Sequence, residues 1–490
     1  MRCDWPLASA SPHSPVFDPA TMMRSPPFIR HFVEPLALLV LALASSLAQA
    51  DATQRLDFDD ARHLLVRTGF APTVAQVRAL EGRTREEAVD ALLAQTRSDP
   101  IVPSPAWTTG ATAPEDIPHP GMSADERKVL RQRERARIEE LRGWWLSEMR
   151  ATPSPLTERM TLFWHDHFAT SEQKVGDARL MYAQNALFRR EALGNFATLL
   201  HAVAKDPAML IWLDGARNRR GAPNENFARE VMELFTLGEG HYAQSDVAQA
   251  ARAFTGFGVD RATGQAVFRP RLHDDGVKTI LGARGDFDMN GALDVLLARP
   301  ETATFLVDKL WREFVSPQPD AGEVARIAGD FRASHYAIKV ALRDLLLSDA
   351  FWSARNRGTL VKSPAELVVG TLRTLDVDPG DMRPIAAATA RMGEVLFAPP
   401  NVRGWPGGDA WINSSTLLAR QAFLARATRA MPDTFMAVST RGGSPSASAE
   451  WQHLLLPLPA VSDAVTEAAA EREPAVVIRA TMLDPVYQLK

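Results

Sequence analysis

The chain has 490 residues, with 55 Lys and Arg against 59 Asp and Glu, a formal charge of −4 and 46% hydrophobic residues. That length holds two or three ordinary domains or one large one, and the composition supplies a globular core. A near-neutral balance, with acids interleaved among the bases, leaves no polyanion track and argues against nucleic acid as a partner.

In chain order, residues 1–50 read as an N-terminal extension plus a signal peptide. Residues 1–21 are rich in Pro and Ser; Arg24 and Arg30 then precede an apolar run at 36–47, and Ala48-Gln49-Ala50 supplies small residues for cleavage before Asp51. The apolar run is too short to span comfortably as an anchor. The expectation is a periplasmic or secreted protein with no stable membrane anchor after cleavage, its translation starting at Met22 or Met23. Cys3 is the only cysteine and precedes that start, so the mature chain has neither disulfides nor thiolate metal sites.

From Phe58 onward the apolar residues recur at three and four positions, which predicts an all-α fold. Helices are expected near 58–67, 73–81, 85–95, 124–150, 155–169, 178–190, 194–205, 224–237, 245–254, 301–315, 322–332, 337–348, 364–375, 384–393 and 414–430. Thr84 with Glu87 and Ser123 with Glu126 have capping-box spacing, and Ser154-Pro155 and Ser363-Pro364 put a cap before a first-turn proline. Residues 255–283 combine short β-prone pieces with a Thr263-Gly264 turn and predict a small β-hairpin or irregular excursion. Residues 100–122 and 437–449 read as loops or linkers. The domains so drawn are 51–122, N-terminal helices and linker; 123–435, the main helical domain carrying the motifs; and 436–490, a loop and C-terminal helix packing on it.

Five segments could carry chemistry. In FWHDHF (163–168), helical geometry turns His165 and His167 about 200° apart, so one metal cannot take both; one is expected to be buried and hydrogen-bonded while the other caps or pairs. In PNENFAREVMELFTLGEGH (223–241), Asn226, Glu230 and Glu233 form a stripe with Arg229 at its border, separate from the apolar face. Leu237 continues that stripe, so it could be buried, and buried carboxylates need cations, donors or metals; pairing of Glu230 with Arg229 or Arg252 ranks above metal ligation. HDDGVK (273–278) puts His273, Asp274 and Lys278 on non-helical backbone, where acid, base and cation converge most easily; the alternative is a turn closed by Asp274 and Asp275. DFDMNGALD (286–294) matches the early positions of a calcium loop at Asp286, Asp288 and Asn290, but Leu297 stands where the closing Glu is wanted, so helix capping is preferred to calcium. FAPPNVRGWPGGDAWINSS (397–415) follows a path set by Pro and Gly, and its Trp405 and Trp411 could stack on a sugar or pack into the core. Ser171 and Lys174 have the spacing of a nucleophile pair without its companion motifs.

Taken together, LTERMTLFWHDHFAT, PNENFAREVMELFTLGEGHY, VAQAARAFTGF, HDDGVKTILG, FLVDKLWREFV and LFAPPNVRGWPGGDAWINSSTLLAR resemble the bacterial family known as domain of unknown function 1800. The resemblance implies an exported, mainly helical protein, often encoded beside an exported sulfatase-like protein that would be its partner. It also implies family-typical polar positions at His165, His167, Asn224, Glu225, Asn226, Arg229, Glu230, Glu233, Arg252, His273, Asp274, Lys278 and Asn401. It does not supply a reaction.

The expectation for function is that His165, Glu230, Glu233, His273 and Asp274 converge on one polar pocket. That pocket would bind a ligand or perform hydrolytic acid–base chemistry, with a divalent metal as an option, on an envelope glycan or ester. In it His273 is the base and Asp274 its orienter, with Lys278 stabilising an anion and His165 joining the catalytic set. Glu230 and Glu233, with His165, are metal or cation ligands, while Asn226, Arg229, Arg252, Trp405 and Trp411 contact the ligand. The alternative is a non-catalytic scaffold or assembly partner of another exported protein, whose polar motifs are internal networks.

Overall fold

Local signals start many of the helices where the periodicity predicts them. Thr84, Ser123 and Ser363 each accept the backbone N–H three residues on, while Glu87, Glu126 and Glu366 bond back to the cap; these boxes open helices Arg85–Ala94, Ala124–Ala151 and Pro364–Thr374. Pro155 opens the helix Pro155–His167, although the preceding Ser154 hydroxyl caps none of that helix's own amides, bonding Thr157 Oγ1 at 2.8 Å and accepting the Arg97 N–H at 3.1 Å instead. The computed structural model describes residues 54–109, 116, 117, 119, 121–260, 262–432, 445–471 and 473–490. The signal-peptide reading lies outside the described residues. No described helix is long and apolar enough to cross a membrane.

The fold is all-α, and among the described residues the β-strands lie in the excursion. There the single expected hairpin is two antiparallel ribbons: β1 (Phe257–Asp260) with β2 (Gln265–Phe268), and β3 (Lys278–Ile280) with β4 (Ala283–Gly285). Residues 445–449, expected as loop, instead open the helix Pro445–Leu455, which is followed by Asp463–Glu471 and Pro474–Leu483. The continuous α-helix expected over 224–237 also breaks. An α-helix over Glu225–Glu230 passes into a π-helix over Val231–Thr236, where the Leu237 N–H donates to Met232 O, five residues back, at 2.8 Å.

Thr53–Lys490 form one compact unit, and the helix Pro155–His167 runs through its middle. All of that helix except Pro155 and Asp166 is buried, against Ala124–Ala151, Ala178–Glu191 and Phe58–Thr68. Burial of this much polar surface demands internal partners. Arg189 supplies one, donating to both oxygens of Glu158 at 2.6 and 3.0 Å, while the Trp145 indole N–H donates to the same carboxylate at 2.8 Å. Three helices are thereby pinned at one point. The last residues run back along 360–362: the Lys362 N–H donates to Gln488 O and the Lys490 N–H to Leu360 O, each at 2.8 Å.

Candidate active site

A cavity of about 500 Å³ opens beside the central helix, a size suited to a small organic ligand. Arg159, Leu162, Phe163 and Asp166 reach it from successive turns of Pro155–His167, on the side-chain spacing of one helical face. Helix Pro300–Phe314 adds Lys309, Arg312 and Glu313. Glu366, Glu394, Arg403, Trp405 and Trp411 complete the wall together with Lys490.

Asp166 is positioned by the loop that faces it. Its Oδ1 accepts the Trp405 N–H at 2.7 Å. Gly404 makes that approach possible: at φ +87° a side chain is strained, and a Cβ would run into the Asp166 carboxylate and come within 2.7 Å of its carbonyl oxygen. Burial pushes Asp166 up to about 6, against the Trp405 amide and the charge of Lys309. Glu394 is 1% exposed and accepts the Ala365 N–H at 2.7 Å; burial, reinforced by Glu366 and Asp166, pushes it up to about 7.

The cations divide into occupied and available. Arg159 and Lys490 each reach Glu366 at 2.5 Å and, against the effect of burial, hold its carboxyl below the usual range. Arg403 pairs with Glu233 at 2.9 Å and Glu239 at 3.0 Å. Lys309 forms no ion pair among the described residues. Its ammonium donates to His167 Nδ1 at 3.2 Å, and His167 Nε2 in turn donates to Phe235 O, inside the π-helix, at 3.2 Å. Those two bonds fix a neutral imidazole, and burial keeps His167 well below the usual histidine range. Burial also pushes Lys309 down to about 8, against Asp166 and Asp308.

A family model described as a protein of unknown function, DUF1800, matches residues 63–489. The chain belongs to this family. No curated protein and no solved structure matches it. The DUF1800 match takes in every cavity residue except Lys490.

The structure does not gather the residues expected to form the DUF1800 pocket. His165 is a core residue between Trp145, Phe188 and Phe397, its Nε2 accepting from Asn185 Nδ2 at 3.2 Å, and burial drives it down to about 3. Glu230 is half-buried beside Glu233, which accepts the Tyr242 hydroxyl at 2.7 Å and Arg403. His273 turns its Nδ1 to Thr255 O at 3.0 Å, away from Asp274. Asp274 is held by Arg252, at 2.8 and 2.9 Å, and lowered by it to about 2, so it cannot orient His273. Lys278 is buried and spends its ammonium on Asp274 O and Gly276 O at 2.6 and 3.0 Å, the bonds of a turn. His165, Glu230 and His273 therefore sit in separate surroundings, and the metal set His165, Glu230 and Glu233 does not form. No group of three or more His, Cys, Asp or Glu side chains among the described residues is arranged to hold a metal ion.

The remaining expected contacts divide in the same way. Arg229 pairs with Glu225 at 3.4 Å and Gln244 at 2.8 Å rather than with Glu230. Exposed Asn226 donates to Leu213 O at 3.3 Å. Asp288 accepts the Gly291 N–H at 2.9 Å as a helix cap, and Asn290 accepts from Lys205 at 2.6 Å. Trp405 and Trp411 do line the cavity, each mostly buried. Asp166, Lys309 and Glu394 lie outside the set of site residues expected from the sequence. The available signal for Asp166 was its place on one helical face with Arg159 and Leu162; Glu394 and Lys309 carry no local signal at all.

Proposed function

We propose that this DUF1800 protein is an exported hydrolase that uses Asp166 and Glu394 as an acid–base pair on a sugar-sized group of envelope material, linked through a glycosidic or ester bond. What carries the reading is that two carboxyl groups displaced upward, to about 6 and about 7, line one cavity together with Lys309, a cation in no ion pair among the described residues. Between those values Asp166 is largely ionised and Glu394 largely protonated. Asp166 takes a proton from water as the water oxygen bonds to the electrophilic carbon; Glu394 gives its proton to the leaving oxygen as the old bond breaks. On an ester, Lys309, steadied by His167, offsets the negative charge that develops on the carbonyl oxygen. Export draws on the basic, apolar and small-residue succession of residues 22–50.

The test is mature protein starting at Asp51 assayed on chromogenic glycosides and esters. A bell-shaped profile with its optimum between about pH 6 and 7 is expected. Asp166→Asn and Glu394→Gln should each lower kcat by roughly 10²–10⁴-fold with the thermal transition unchanged. A scaffold reading draws on the Glu158–Arg189 pair, an internal network of the kind such a protein needs. It prevails if the panel is inert and both variants instead lower the melting temperature. N-terminal sequencing of secreted material, expected to begin at Asp51, tests export.

A further inference from the structure

A second cavity, of about 20 Å³, lies against the same ion pair: Glu366 and Lys490 line both chambers. The other charged groups of its wall are both cationic, Arg62 from the helix Phe58–Thr68 and Lys362 from the strand-like stretch before Pro364, beside the neutral Thr374 and Tyr487. The Arg62 side chain is 3% exposed, its nearest carboxylate is Asp59 at 4.0 Å, and its buried Nε meets no acceptor among the described residues. Lys362 is also buried. It donates to Tyr487 O at 2.7 Å, stands 3.8 Å from the centre of the Tyr487 ring, and forms no ion pair among the described residues. Glu366 attracts Lys362 from the same wall, but its own ion pairs are with Arg159 and Lys490. A buried guanidinium N–H without an acceptor is costly, and a second buried cation on the same cavity adds repulsion.

We infer that this chamber binds one small monovalent anion, of the size and charge of chloride, between Arg62 and Lys362. Volume selects among anions: about 20 Å³ takes an occupant no larger than a water molecule or a halide, which rules out phosphate, sulfate and carboxylates. Charge selects against water, which satisfies an N–H but neutralises nothing. The groups facing Lys362 are Arg62, Arg420 and Lys490, all cationic, Glu366, and the neutral Tyr487 ring. Burial first, then Arg62, pushes Lys362 down to about 7. A bound anion favours the ammonium form, so affinity is full below about pH 7 and falls about tenfold for each pH unit above it.

The inference does not depend on hydrolysis, and its tests do not read activity. Crystals of the full chain grown in sodium bromide should show an anomalous-scattering peak between Arg62 Nε and Lys362 Nζ. In solution, sodium chloride should raise the melting temperature above that in sodium gluconate of equal ionic strength, more at pH 6 than at pH 8.5. Arg62→Met and Lys362→Met should abolish that difference. The inference is overturned by a bromide map without a peak at this place, or by equal melting temperatures in the two salts at both pH values. Should either variant fail to fold, the wild-type bromide map decides alone.

Discussion

Asp166 and His165 are neighbours in sequence, yet one faces a cavity and the other a wall of aromatic rings. Gly404 decides how Asp166 behaves, because it alone lets the Trp405 amide reach the carboxylate. Gly404→Ala should cost about 1–3 kcal/mol for the forced positive φ and the clash. It should also carry the acidic limb of the pH–rate profile above about 6, since the lost N–H is a group that lowers Asp166. His165 gives a pH prediction of opposite sense. Its folded value, about 3, lies below the 6.5 of an exposed imidazole, so the fold holds the neutral ring. The stability this contributes is complete above pH 6.5 and is lost as pH falls towards 3. Against His165→Phe, wild-type unfolding free energy should fall by about 1.4 kcal/mol per pH unit below 6.5, read by urea titration. The divergence of the two histidines was legible in FWHDHF, because helical geometry alone requires it. The importance of the aspartate between them was not, because only the fold brings Trp405, Lys309 and Glu394 to it.

Among the elements, the capping boxes at Thr84 and Ser123 and the first-turn prolines at 155 and 364 were readable because each signal is complete within four residues. The π-helix at Val231–Thr236 was not. One extra residue per turn leaves the apolar spacing nearly intact, and the only trace was Leu237 lying in line with the polar stripe. Its effect on the site is direct, since it presents Phe235 O to His167 and Leu234 O to Lys309, at 3.2 and 3.5 Å. His273 and Asp274 misled for a related reason: the excursion was correctly expected to be non-helical, but its pairing with the helix Gln244–Ala253 through Arg252 is long-range. The join between Pro155–His167, Ala124–Ala151 and Ala178–Glu191 is where a single change should do most damage. Arg189→Ala leaves Glu158 charged, buried and held only by Trp145, and should cost about 3–5 kcal/mol in chemical denaturation. Replacing Glu158 and Arg189 together by Leu and Met should recover most of that loss.

For the whole molecule, the all-α class followed from periodicity, while the arrangement that matters is a closure between distant parts of the chain. The Pro485–Gln488 turn and Lys490 seal the segment 360–362 and supply partners to Lys362, Arg420 and Glu366. Deleting residues 485–490 should therefore abolish a cooperative thermal transition in calorimetry, not merely lower its midpoint, because several buried charges lose partners at once. Lys490 also stands in the wall of both chambers. A polypeptide delivered N-terminus first carries Asp166 long before it carries the lysine that completes the enclosure. A chain terminated before that lysine therefore lacks one wall of each chamber and the partner that Lys490 gives Glu366.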